Sequence, residues 1–117
     1  MNKKKKSSAQ RVPPNNGKAY EEHCAHKMRM HGFYGVKVIG KSADFGADVI
    51  ARGFMFAKIV VQCKCYNKPV GVKAIQEVNA ARQYYNASRA AVATNSTFTK
   101  AAQELARACG VELWAHF

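Results

Sequence analysis

Two short stretches place polar side chains where a strand-forming chain has no ordinary use for them. One is Val60-Val61-Gln62-Cys63-Lys64-Cys65-Tyr66. The other, just upstream, is Gly46-Ala47-Asp48-Val49-Ile50-Ala51. Both read as short strands, because Val, Ile and Tyr favour a pleated, half-buried surface. Successive side chains on a strand alternate faces, so Gln62 and Lys64 point one way while Val61, Cys63 and Cys65 point the other. An amide and an ammonium are poor core groups unless something pairs with them. Asp48 is equally out of place among Ala47, Val49 and Ile50. An antiparallel hairpin turning near Gly53 to Ala57 sets Asp48 roughly opposite Gln62. One carboxylate, one amide oxygen and one ammonium then converge on one patch of sheet.

Two readings fit that patch. A carboxylate and an amide oxygen are hard oxygen ligands suited to magnesium, and a lysine beside them can orient water or stabilise charge developing on a phosphate. The plainer reading is a buried Asp–Lys pair bracing the hairpin, with Gln62 capping a stray backbone group. The residues alone leave both open, since structural ion pairs also occur in such places.

Charge narrows the class of partner. Nineteen Lys and Arg against seven Asp and Glu give the 117-residue chain a net charge of +12. Six of those bases (Lys3, Lys4, Lys5, Lys6, Arg11 and Lys18) and no acid lie in the first 18 residues, and the remainder still carries +6. A polyanion is the expected partner, nucleic acid before an anionic membrane surface. The length suits one domain with a modest core. No apolar run approaches the roughly 18 residues that span a bilayer, and no apolar segment follows the N-terminal lysines to make a secretory signal. Cys24, Cys63, Cys65 and Cys109 form no paired C-x-x-C or H-x-x-x-H zinc pattern, although His23, His26 and His31 cluster. Reduced, mostly buried thiols in a cytoplasmic protein are the expectation.

Along the chain, residues 1–17 are lysine-rich and then polar, with Pro13-Pro14 and Asn15-Asn16-Gly17. They read as a disordered basic arm ahead of one domain at 18–117. Lys18 to His31 has helical spacing at Tyr20, Cys24, Met28 and His31, with Gly32 as C-cap. Gly35 to Lys41 reads as a strand, Ser42 to Gly46 as a turn, Ala47 to Arg52 and Ala57 to Tyr66 as strands. The connection Gly53-Phe54-Met55-Phe56 is unusually apolar for a hairpin tip, and exposure there would mark a contact surface. Val70 to Tyr85 reads as a helix with Val72, Ile75, Val78, Ala81 and Tyr85 facing inward. A strand at Arg89 to Ala93, a helix at Thr99 to Cys109 and a strand at Val111 to Trp114 follow. The fold class is thus α/β, an α-β-β-β-α-β-α-β order with a mixed sheet flanked by helices.

These residues also resemble a known family. Tyr20-Glu21 on a helix, Gly32-Phe33, "DFGADVIA" at 44–51, "VQCK" at 61–64, "VGVKAIQEV" at 70–78, "TNSTFTKAA" at 94–102 and "GVELW" at 110–114 occur in the order found in Mrr-like restriction endonuclease catalytic domains, members of the PD-(D/E)XK nuclease superfamily. The similarity runs from about Lys18 to Trp114. D-x(13)-Q-x-K is weak alone and gains its force from this company.

The resemblance implies a restriction-endonuclease-like core and a metal-dependent DNA endonuclease using Mg2+, with Mn2+ able to substitute. It matches the catalytic positions to Glu21 (Glu22 is its neighbouring alternative), Asp48, Gln62 and Lys64. It assigns the metal to Asp48, Gln62 and the Cys63 backbone carbonyl, gives Asp44 a supporting place, and lets Lys64 help activate water. Gln62 departs from the superfamily's usual glutamate and leaves the site one negative charge poorer. Lys73, Lys100 and Asn95 are the expected DNA contacts, with Arg82 read as a solvated charge. DNA and a homodimer are the expected partners, with no membrane. A separate recognition subunit or domain would carry target choice. A structure-selective Holliday-junction-type resolvase and a catalytically silent DNA-binding module on the same scaffold are the competing readings.

Overall fold

A computed structural model describes residues 16–39 and 45–117. The expected arm falls outside these residues except for Asn16 and Gly17, and so does Asp44. Helix α1 (Gly17–Met30) starts where Asn16 accepts a hydrogen bond from the Ala19 N–H at 2.8 Å. Asparagine is a strong N-cap because its side-chain oxygen satisfies an otherwise orphaned N–H. The helix therefore claims the last residue of the stretch read as arm. Tyr20, Cys24, Ala25 and Met28 form its buried face, whereas His31 is the exposed C-cap rather than part of that stripe.

Strands β1 (Tyr34–Val38), β2 (Val49–Arg52) and β3 (Lys58–Lys64) follow, then helix α2 (Val72–Tyr84), β4 (Arg89–Thr94), helix α3 (Lys100–Cys109) and β5 (Glu112–Trp114). This is the expected order, with most strand and helix ends shifted by one to a few residues: α1 and β1 start one residue earlier than expected and β4 ends one later, while other ends are shorter. The five strands lie in chain order across one sheet. β1–β2 and β2–β3 are antiparallel; β3–β4 and β4–β5 are parallel, each crossing over through a helix.

Alternation along β3 divides the core. Ile59 and Val61 pack under α1 with Tyr20, Cys24, Met28, Val49 and Ala51. Val60 packs on the other face with Ile75, Val78, Ala81, Val92 and Ala102 from α2, β4 and α3. Each such valine or isoleucine, fully buried, contributes roughly 1.5–3 kcal/mol to stability. Val72 is exposed and Tyr85 half-buried, so the inward stripe of α2 runs instead through Ala74, Ile75, Val78 and Ala81. The β2–β3 connection is a 3-10 turn, Phe54–Phe56, whose three side chains are all exposed; it does not fold back on the domain.

Two features of this frame locate the site. Val49 pairs with Val61, so Asp48 lies opposite Gln62, and the Asp48 N–H donates to the Val61 carbonyl at 2.8 Å. The C-terminal ends of β3 and β4 and the starts of α2 and α3 gather at one end of the sheet, tied by a Val70–Phe98 bridge. In open α/β sheets ligands bind in the crevice outside such strand ends. Among the described residues no helix is long and apolar enough to cross a membrane.

Candidate active site

Asp48 is held by its backbone before its side chain does anything. Its N–H donates to Val61 and its carbonyl accepts from the Ile39 N–H at 2.9 Å, so it is pinned between β1 and β3. Its carboxylate Oδ2 accepts from the Cys63 N–H at 2.8 Å. Burial raises the Asp48 pKa, while the Cys63 N–H, Lys64 and Glu21 pull it down and Glu77 pushes it up. That set of influences places Asp48 beside Glu21 of α1, Lys64 of β3 and Glu77 of α2. Glu21 is half-buried and reaches the Asp48 carboxyl; its neighbour Glu22 is exposed and does not enter the group.

Gln62 and Lys64 share a strand face, as alternation requires, and both meet Glu77. The Gln62 Nε2 donates to Glu77 Oε1 at 2.9 Å, and the Lys64 Nζ stands 3.8 Å from the same oxygen. Among the described residues Gln62 therefore caps no backbone group, and Lys64 forms its ion pair with a helix rather than with Asp48 across the hairpin. Among the described residues the buried Gln62 Oε1 has no hydrogen-bond partner. Leaving such an acceptor unsatisfied costs about 1–3 kcal/mol, so it calls for an explanation.

Glu77 is the group the sequence reading passed over. It lies three residues after buried Ala74 and four before buried Ala81, on the edge of the inward stripe of α2. An acid there, in a chain with only seven, was the available signal. Its place is fixed by Gly46, which has φ +83° and lies so close to α2 that an added Cβ would fall 2.3 Å from the Glu77 carbonyl oxygen. Glycine is the residue that tolerates both the left-handed backbone and the approach. A cleft of about 550 Å³ opens here, lined by Phe45, Gly46, Glu77, Ala80 and Tyr84.

The expected DNA contacts divide. Lys73 and Lys100 are exposed at the starts of α2 and α3. Asn95 braces the turn after β3, its Oδ1 accepting from the Tyr66 N–H at 2.8 Å. Arg82 is no solvated charge: it donates to the Cys109 and Gly110 carbonyls at 2.7 and 3.1 Å and to Asn79, closing the C-terminus of α3. All four cysteines are free. The Cys63 thiol is pushed well above its usual value, first by the Cys24 thiol beside it and then by lost hydration, which suits packing rather than nucleophilic work.

The sequence profile of a restriction endonuclease family, the Mrr catalytic domain, matches residues 14–116. The chain belongs to the Mrr-like restriction endonuclease family. Among curated proteins none matches the sequence. Solved structures share the fold. A repair endonuclease from Pyrococcus abyssi matches with a TM-score of 0.60 and 16% identity, over 89% of this chain and 48% of its own. EndoMS in complex with double-stranded DNA matches with a TM-score of 0.61 and 16% identity, over 89% and 46%. The DNA modification-dependent restriction endonuclease AspBHI matches with a TM-score of 0.63 and 18% identity, over 82% and 27%. This chain thus spans less than half the length of each. The Mrr-like domain has the mixed α/β sheet of a restriction-endonuclease-like fold, as the sequence led us to expect.

Proposed function

We propose that this Mrr-like domain is a metal-dependent DNA endonuclease in which Glu21, Asp48, Gln62 and Lys64 form the working site. The observation that carries the reading is the buried Gln62 Oε1 with no partner among the described residues, on the strand position opposite Asp48 and on the same strand face as Lys64. Among the described residues no three His, Cys, Asp or Glu side chains gather as a ready-made metal cage. The fit rests instead on a mixed oxygen set: Asp48, the Gln62 Oε1 and the Cys63 backbone carbonyl. An all-oxygen set suits a hard cation such as Mg2+, with Mn2+ able to replace it. Bound there, the ion would supply Lewis-acid charge against the negative charge that grows on a phosphodiester.

The rest is done by the chain. The Cys63 N–H holds one Asp48 oxygen and so fixes how the carboxylate faces the site. Glu21 tunes the proton on Asp48 from the α1 side. Lys64, 3.8 Å from Glu77, can turn toward a water or a phosphate oxygen. Water adds to phosphorus, one P–O bond of the backbone breaks, and the leaving oxygen takes a proton. Lys73 and Lys100 offer phosphate contacts at two neighbouring helix starts, Asn95 lies between them in the chain, and the +12 charge supplies a salt-sensitive attraction. The fold shared with EndoMS bound to double-stranded DNA favours duplex substrate. One site cuts one strand, so a double-strand break would use two copies or two visits.

The test is plasmid nicking in magnesium or manganese by wild type, Asp48→Ala and Lys64→Ala. Wild type should nick, and each variant should lose at least about a hundredfold in rate. Equal nicking by all three proteins rejects the assignment.

A further inference from the structure

We infer that Glu77 is a positioning residue: it turns the Gln62 amide so that its oxygen is left for a cation, and it supplies the negative charge that glutamine lacks. The inference rests on the nuclease reading of this site and goes beyond it by splitting one ligand's work between two side chains.

The orientation follows from chemistry. An amide end can be placed either way round, and its hydrogen-bond partners decide. An ionised carboxylate only accepts, so the contact of 2.9 Å between Gln62 and Glu77 Oε1 requires the NH2 group to face Glu77. The carbonyl oxygen must then face the other way, into the buried position where it has no partner among the described residues. Were Glu77 merely a brace for Lys64, the ammonium would hold the short contact. Instead the amide takes it, and Lys64 stands off at 3.8 Å. Gly46 presses the strand leading to Asp48 against the backbone of Glu77 itself, so the helix residue and the aspartate keep a fixed relation. A single glutamate on β3 would bring oxygen and charge together. Here the strand brings the oxygen and the helix brings the charge.

Three variants separate orientation from charge: Glu77→Gln, Gln62→Glu, and the double exchange Gln62→Glu/Glu77→Gln, all checked for unchanged melting. In the metal-free protein the Gln62 side-chain N–H resonances should shift when Glu77→Gln replaces a charged acceptor by a neutral one. Manganese affinity measured by calorimetry should fall about tenfold in Glu77→Gln, the size expected for one charge removed at a partly exposed site. Gln62→Glu adds a carboxylate beside Asp48 and should bind manganese no more weakly than wild type, and the double exchange, which restores the charge count, should regain most of the affinity lost in Glu77→Gln. Unmoved Gln62 resonances overturn the orientation. Wild-type manganese affinity in Glu77→Gln, or no recovery in the double exchange, overturns the charge assignment. Wild type that neither binds manganese nor nicks DNA sinks the nuclease reading instead, and the Gln62 resonances then decide the Glu77 contact on their own.

Discussion

Arg89 and Glu112, at the starts of β4 and β5, meet through two hydrogen bonds of 2.8 Å each, whereas Lys64 and Glu77, at the opposite end of the sheet, stand 3.8 Å apart. Solvent access does not separate the two pairs, whose side chains are 32% and 34% exposed in the first and 26% and 35% in the second. Saturation does. Glu112 also accepts from the Trp114 Nε1 at 3.3 Å, the Arg89 guanidinium lies 5.4 Å from the Phe33 ring centroid, and the Glu112 bonds hold the Arg89 pKa above its usual value. Both Glu112 oxygens and two of the three Arg89 nitrogens there are paired. At the other end an amide oxygen is buried with no hydrogen-bond partner among the described residues, the Lys64 ammonium stands 3.8 Å from Glu77, and burial disfavours the charge on Asp48. A bidentate fork braces a sheet; an unsaturated group of the same residue types is built to receive something else.

The widest gap between the two ends should be in activity. Lys64→Ala should lower plasmid nicking by about 10²–10³-fold, the usual cost of removing one preorganised charge-stabilising group. Arg89→Ala should leave nicking unchanged in protein that is still folded. Equal losses in both would mean that the site's activity depends on the brace, and the contrast drawn above would fail.

Two glycines at opposite ends of the β2 hairpin sharpen the contrast in stability. Gly46→Ala forces a side chain onto φ +83° and against the Glu77 backbone carbonyl, which cannot give. The cost should be about 3 kcal/mol in urea unfolding, and the site should be lost with it. At Gly53 an added Cβ meets the Arg89 Nη1 at 3.0 Å and the Phe33 ring at 3.1 Å, both side-chain atoms able to shift. Gly53→Ala should cost no more than about 1 kcal/mol and leave nicking intact.

The sequence made one end of this comparison far more legible than the other half of the site. The hairpin face was readable because period-two alternation is local: it put Gln62 and Lys64 together and Asp48 opposite without knowledge of any helix. Glu77 was not readable that way. Its meeting with Gln62 spans fifteen residues of chain and depends on how α2 docks, and docking depends on Gly46 allowing a close approach. Arg82 went astray for the same reason: on its own helix it looks like a solvated base, and only the packing of α3 beside α2 brings it the Cys109 and Gly110 carbonyls. Local pattern foretold the strands and the order of elements, while pairings between elements waited on the folded core.

A smaller effect separates the pairs as braces. Arg89→Ala should cost about 0.5–1 kcal/mol, the range for a partly exposed pair, discounted for solvent screening. A double-mutant cycle with Glu112→Ala should recover that coupling. The same cycle on Lys64 and Glu77 should give a coupling near zero, because a 3.8 Å contact between partly exposed side chains is weak. A larger coupling there would make Lys64–Glu77 a brace as well.

The smallest difference has its sign reversed. Burial raises the folded-state pKa of Asp48 above that of the unfolded chain. Such a group adds its full stability only below its unfolded pKa, and loses that contribution as pH rises through the folded value. Where Asp48 is ionised it is therefore a net cost to the fold. Asp48→Asn keeps an oxygen for the Cys63 N–H and removes the charge. In chelator it should melt above wild type at pH 7, with the gain shrinking toward zero as the pH falls to about 3.9, the ordinary aspartate value. Glu112→Gln, which weakens the Arg89 fork, should melt below wild type at pH 7. If Asp48→Asn melts lower as well, the carboxylate at the candidate site is a structural partner like its counterpart, and the fold pays nothing to keep it charged.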